Sequence, residues 1–203
     1  MMKKIILISA SLLVLIACAS NDYTMKYKSE CSFDMEGDQP LTFYVNGNIA
    51  TLSGVVCDGS PDAFTNMMDE NPNITDLLFK SIDGSADDEA NIELAYMVRE
   101  AKLNSQIRHN GHIASGGTDL FLAGVKRSVE EGAKIGVHSW AGSDGMQGDE
   151  LPRNHSEHQR YLNYYRAMGI DTEFYWYTLR VAPASGMHYM SMSELRQYGF
   201  ITH

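Results

Sequence analysis

Gly111-His112-Ile113-Ala114-Ser115-Gly116-Gly117 and, further on, Ile135-Gly136-Val137-His138-Ser139 are the two stretches on which the reading of this chain turns. In the first, a serine is squeezed between small residues where an apolar strand gives way to a helix. In the second, a histidine stands at the tip of a later strand. That arrangement suits a nucleophile and its general base. The small neighbours matter because a sharp turn into a helix has no room for large side chains, and because backbone N–H groups at a helix start can face a developing oxyanion. Taken alone, Ser115 also reads as an ordinary helix cap, so its surroundings have to decide.

Outward from these stretches, strands alternate with helices. Residues 41–45 and 49–56 read as strands around an Asn-Gly turn, 61–70 as a helix begun by Ser60-Pro61, and 74–81 as a strand. Residues 87–103 are the strongest helix: Leu94, Met97, Val98 and Ala101 recur at helical spacing, acids open it and Lys102 stands near its end. A short strand over 105–108, a helix over 116–123 closed by Gly124, and a strand over 134–138 follow. Beyond them the sequence predicts a polar-aromatic helix over 155–168, a hydrophobic strand over 174–181 and a helical turn over 191–198. Such alternation means βαβ units, an α/β fold with a largely parallel sheet, and active residues at strand C-termini, where Ser115 and His138 both fall.

The N-terminus carries a different signal. Lys3 and Lys4 precede an apolar stretch, residues 5–16, too short to span a bilayer, and Leu15-Ile16-Ala17-Cys18 closes it with a small residue before cysteine. This resembles a bacterial lipobox. The resemblance implies removal of residues 1–17, acylation of Cys18 and attachment of the mature chain to a membrane on the periplasmic side of the cell envelope. Ala19 and Ser20 resemble an outer-membrane address in a Gram-negative host. The alternative is a plain secretory signal with an accidental cysteine. Residues 18–40 are polar and irregular and read as a tether, with one domain over 41–203.

Removal of 17 of the 203 residues leaves 186, and loss of Lys3 and Lys4 takes the formal charge from −10 to −12. A surface this acidic repels nucleic acid and anionic headgroups, so membrane attachment falls to the lipid on Cys18. With Cys18 so committed, Cys31 and Cys57 are the remaining pair, and an oxidising envelope makes one disulfide the default, two buried thiols being the alternative.

The order of these elements is similar to the Clp protease proteolytic subunit and the wider ClpP/crotonase superfamily, particularly its exported Clp-protease-like members. Over residues 41–202 the resemblance rests on Ala50-Thr51-Leu52-Ser53-Gly54-Val55-Val56, Ser81-Ile82-Asp83-Gly84-Ser85, the Ser115 and His138 stretches, and Met190-Ser191-Met192-Ser193-Glu194-Leu195 leading to Tyr198-Gly199-Phe200-Ile201. It implies a βαβ superhelical domain with Ser115 as nucleophile, His138 as general base and an oxyanion hole from backbone N–H groups at Gly84 and Gly116. Two positions depart from the family pattern. Asp83 occupies the first of two usual glycines, and Met187 stands where the family places its acidic triad member. Orientation of His138 then falls to Ser185, a backbone carbonyl, or an acid from the 143–150 loop.

Two smaller signals compete. His155 with His158, and His109 with His112, repeat an i, i+3 interval that metal ligands also use, but no third ligand is placed by sequence, and no metal or other cofactor is expected. The aromatics Phe174, Tyr175, Trp176 and Tyr177, with Tyr161, Tyr164 and Tyr165, read as core and subunit contacts before they read as a substrate groove. The sequence therefore predicts an exported, lipid-anchored serine hydrolase for a peptide or other acyl substrate, able to form a homo-oligomer. The alternative is a decayed binding or assembly module of the same fold. Acyl-CoA chemistry is disfavoured because export removes the chain from the CoA pool.

Overall fold

Alternating burial on short strands and one-sided burial on helices build a sheet flanked by helices. The computed structural model describes residues 23–35, 37–142 and 145–202. Cys18 and the expected signal peptide lie outside them. The strands are β1 (Met25–Lys28), β2 (Thr42–Asn46), β3 (Ile49–Ser53), β4 (Asp76–Ile82), β5 (Asn104–Ala114), β6 (Arg127–Val129), β7 (Lys134–Val137) and β8 (His188–Tyr189). The helices are α1 (Ser60–Glu70), α2 (Asp88–Glu100), α3 (Gly116–Leu122), α4 (Glu157–Ala167), α5 (Glu173–Val181) and α6 (Met192–Gln197), with a 3-10 turn at Gly148–Glu150. No helix among the described residues is long and apolar enough to cross a membrane.

The strand order is β1-β2-β3-β4-β5-β7-β8, with β6 also paired to β5. β3, β4, β5, β6 and β7 run parallel, and antiparallel strands close both ends. Ala50, Leu52, Leu77, Phe79 and Ile82 are fully buried on β3 and β4, as central parallel strands require. The expected hairpin is present, shifted by one residue: Asn46 ends β2 paired with Ile49, and the two-residue connection is Gly47-Asn48, with Gly47 at φ 62°. Asp87 caps α2 by accepting from the Glu89 and Ala90 N–H groups at 2.9 and 3.0 Å.

β5 positions the site. Residues 105–107 pair with β6 and residues 112–114 with β7, and between them the register against β4 shifts. The strand bends there, so one eleven-residue element serves two successive parts of the sheet. The sequence predicts only 105–108 as strand, because His109, Asn110 and Gly111 interrupt its apolar alternation. In the structure β5 continues to Ala114 and delivers Ser115 directly from its end.

Two expectations are corrected. Residues 174–181 form helix α5, not a strand. An apolar run this short carries no decisive period, and its aromatic content imitates a strand. The helical signals were Asp171, whose carboxylate accepts from the Glu173 N–H at 2.9 Å, and burial of Phe174, Tyr175, Thr178 and Leu179 on one face. The second correction concerns the tether. Part of residues 18–40 belongs to the fold: β1 pairs antiparallel with β2, and buried Ser29 donates to the Ser60 hydroxyl at 2.9 Å. Cys31 and Cys57 form the expected disulfide, with Cα atoms 5.7 Å apart.

Two arginines lock the far end of the core. Arg127 is buried and donates to the carbonyls of Leu122, Gly124 and Gly199, and Arg99 donates to those of Leu122 and Met168. Their bonds tie α3 to the start of the segment after α4 and to the C-terminal segment.

Candidate active site

Ser115 sits at the junction of β5 and α3 with φ 52° and ψ −129°, a conformation that a side chain makes unfavourable by about 1–3 kcal/mol. Its surroundings fix it there. The Ser115 N–H donates to the Gly136 carbonyl at 3.1 Å, and its carbonyl accepts from the Thr118 and Asp119 N–H groups. The glycines that follow are a packing requirement. A Cβ on Gly117 would lie 2.5 Å from the Ile82 carbonyl oxygen, and one on Gly116 would lie 2.3 Å from the Ser85 hydroxyl. Small residues therefore let α3 start directly against the end of β4.

That contact brings the Asp83-Gly84 turn onto the serine. A Cβ on Gly84 would lie 3.5 Å from the Ser115 Cβ and 3.8 Å from its Oγ. The N–H groups of Gly84 and Gly116 donate to no backbone carbonyl among the described residues. The Asp83 carboxylate is engaged by His112 Nδ1 at 3.0 Å, and His112 Nε2 meets the Tyr189 hydroxyl at 3.1 Å. The acid at the departing position thus has a partner on β5.

His138 follows β7 and lines the same cavity as Ser115. Its Nδ1 lies 2.7 Å from the Ser139 carbonyl. A carbonyl can only accept, so Nδ1 carries the proton and Nε2 is left as the basic nitrogen. Of the orienting groups open in the sequence, the backbone carbonyl is the one bonded to the ring. Met187 packs its sulfur toward Gly136, and no hydrogen bond joins Ser115 to His138 among the described residues.

The cavity has a volume of about 50 Å³ and is walled by Trp140, Tyr161, Tyr165 and Tyr175, with the acids Asp88 and Asp119. Asp119 lies one helical turn beyond Ser115 and accepts from the Tyr165 hydroxyl at 2.6 Å. Burial, with the charge of Asp88 adding to it, pushes the Asp119 carboxyl up to about 7. Asp88 accepts from the Tyr161 hydroxyl at 3.0 Å and the Ser85 hydroxyl at 2.5 Å. The aromatics expected as core therefore have two roles: Tyr164 and Phe174 are core, whereas Tyr161, Tyr165 and Tyr175 also face the cavity. Asp119 was missed in the sequence, although an acid inside the apolar run of α3 was a legible sign of a polar partner or a site.

The histidine pairs separate. His109 turns to Glu130 at 3.2 Å and His112 to Asp83. His158 is fully buried with Nδ1 at 2.6 Å from the Tyr175 hydroxyl, whereas His155 accepts from the Glu157 N–H. Among the described residues, Cys31, Cys57 and Asp58 make the one cluster of potential metal ligands, and its two sulfurs are spent in the disulfide.

No protein-family model matches the sequence, and no curated protein matches it. Solved structures do. Methylmalonyl CoA decarboxylase aligns with a TM-score of 0.51 at 9% identity, over 80% of this chain and 66% of its own. The chain has the ClpP/crotonase fold. A membrane-bound stomatin-specific protease in complex with a substrate peptide also aligns (TM-score 0.46, 15% identity, 70% of this chain and 65% of that one). A probable enoyl-CoA hydratase/isomerase from Mycobacterium abscessus also matches (0.47, 14% identity, 77% and 64%). This chain spans slightly less than two thirds of the length of these structures, 64–66%. A fold does not by itself fix a reaction, so the chemistry has to be argued from the site.

Proposed function

We propose that this chain is an exported, lipid-anchored serine hydrolase acting on a peptide or other acyl substrate. The observation that carries the reading is Ser115: a non-glycine residue held at positive φ where a central strand meets a helix, opening on a cavity that it shares with a histidine whose Nε2 is free to act as base. Ser115 Oγ attacks the substrate carbonyl and gives its proton to His138 Nε2. The Gly84 and Gly116 N–H groups stabilise the tetrahedral oxyanion. His138 returns the proton to the leaving group, and water, activated by the same nitrogen, releases the acyl group from Ser115.

The test is covalent labelling. A fluorophosphonate should form an adduct on Ser115 of the folded native protein, located by peptide mass spectrometry, and Ser115→Ala should carry none. A folded wild-type protein that takes no adduct favours the second reading, a binding or assembly module that retains the fold. That reading draws its support from the carbonyl, instead of a carboxylate, at His138 Nδ1.

The anchor is proposed from the Leu15-Ile16-Ala17-Cys18 pattern. Cys18→Ser should leave the protein in a soluble exported form or an unprocessed one, read by membrane fractionation and the mass of the N-terminal peptide. A Cys18→Ser protein still processed and fractionating with membranes would sink the lipoprotein reading.

A further inference from the structure

Ser139 is fully buried at the point where the chain leaves β7, and its peptide is held from several sides. Its N–H donates to the Ala182 carbonyl at 2.9 Å. Its hydroxyl donates to Asp149 Oδ1 at 3.0 Å and accepts from the Asp149 N–H at 3.2 Å. The Gly148 N–H donates to the Trp140 carbonyl at 3.0 Å, and the Trp140 indole N–H donates to the Tyr175 hydroxyl at 2.8 Å. Glycine is required at 148, because a Cβ would lie 2.6 Å from the Trp140 ring. The Gly148–Glu150 turn is thereby clamped onto Ser139 and Trp140, the two residues that flank the peptide whose carbonyl receives His138 Nδ1.

We infer that Asp149 is a positioning residue for His138, acting through Ser139. This rests on the hydrolase reading of Ser115 and His138. In a serine triad the acid sets the tautomer and orientation of the imidazole. In this chain the Ser139 carbonyl sets them, and that carbonyl can do so only while its own peptide is fixed. Asp149 holds the Ser139 side chain with its carboxylate and its N–H together, and through it restrains the residue, from a position that is itself exposed. Removing the carboxylate frees the Ser139 hydroxyl to turn and loosens the 139–140 peptide, so the imidazole loses its preference for the Nδ1–H form. Asparagine at 149 keeps an oxygen that accepts from Ser139 and so preserves the arrangement.

The experiment is to follow the His138 tautomer by long-range proton–nitrogen NMR in the wild type, Asp149→Ala, Asp149→Asn, Ser139→Ala and the alanine double variant. The rate of Ser115 labelling is measured as a function of pH in the same proteins. The expected result is a single Nδ1–H tautomer in the wild type and Asp149→Asn, and mixed tautomers in Asp149→Ala and Ser139→Ala. Labelling should slow by about tenfold to a hundredfold in both alanine variants, with a displaced pH profile and no further loss in the double variant. Asp149→Ala with wild-type tautomer and pH profile overturns the inference. If Asp149→Ala does not fold, Ser139→Ala carries the same two outcomes. A locked tautomer in an unlabelled wild type, scrambled in Asp149→Ala, defeats the hydrolase reading and leaves the positioning role standing.

Discussion

Replacing His138 with alanine is expected to slow fluorophosphonate labelling of Ser115 by about 10³-fold at pH 8, the size of effect that removal of a general base produces. The expectation follows from where the base is left. With Nδ1 engaged by the Ser139 carbonyl, Nε2 is the nitrogen available to take the serine proton, and both residues line one small cavity. His138 is also one of several half-buried or exposed histidines, which supplies an internal control. His109→Ala, on the far side of the β5 bend and paired with Glu130, should leave the rate unchanged. Equal rates for the two variants would mean that Ser115 reacts without His138, and the assignment of a base would fall.

Asp119→Asn is expected to stabilise the protein above neutral pH by about 2 kcal/mol and to change little at pH 4, as read by denaturant titration at the two pH values. The carboxyl moves from an ordinary 3.8 up to about 7, first by burial and then by the Asp88 charge, against the opposing hydrogen bond from Tyr165. The group binds its proton more tightly folded than unfolded. Its contribution is therefore complete below about pH 4 and is lost as pH rises through about 7. A shift of this size is worth about 4 kcal/mol between protonation states, and partial exposure of Asp119 to the cavity reduces the net effect to about half. Asparagine keeps an acceptor for the Tyr165 hydroxyl and carries no charge to bury. The other groups around Asp119 include Asp88 on α2, His138 across the cavity, Tyr161, Tyr164 and Tyr165 on α4, and Tyr175 on α5. The tyrosines are all pushed above the usual phenol range, so none of them titrates in this window. An Asp119→Asn protein no more stable than wild type at pH 8 would show that the carboxyl is hydrated in the folded state.

Much of the architecture was legible because its signals are local. Asp87 before a helical repeat, Gly47 in a hairpin and the apolar runs of β3, β4 and β7 each declare their element within a few residues. The ClpP/crotonase fold was reached through resemblance: five short stretches, taken in order and spacing, are similar to that family. The failures have physical causes of their own. Residues 174–181 begin with four aromatics, so composition spoke for a strand, while burial at i, i+1, i+2, i+4 and i+5 fits a broad helical face and not a period of two. β1 was hidden because three of its four side chains are exposed and its stability comes from a ladder to β2 that lies distant in sequence. At the site, Ser115 and His138 could be picked out because each ends a recognisable strand. The 143–150 loop was named as a source of an orienting acid, but the choice of Asp149, its route through Ser139 and the approach of Asp119 to the pair were not legible, because they depend on α4, α5 and the Gly148 turn folding back over the strand ends.

The disulfide also governs how the molecule yields to force. Tension applied from the N-terminal side reaches β1 first, and four residues of antiparallel ladder with mostly outward side chains are easily peeled from β2. The peel then meets Cys31, three residues past the end of β1, where the chain is covalently joined to Cys57. Load passes at that point into the segment between β3 and α1, so β2 and β3 stay inside the covalent loop and are not pulled from that end one after the other. A reductant removes the stop, and a mechanical pull that formerly cost the protein a fringe of its sheet would then run on into β2 and β3.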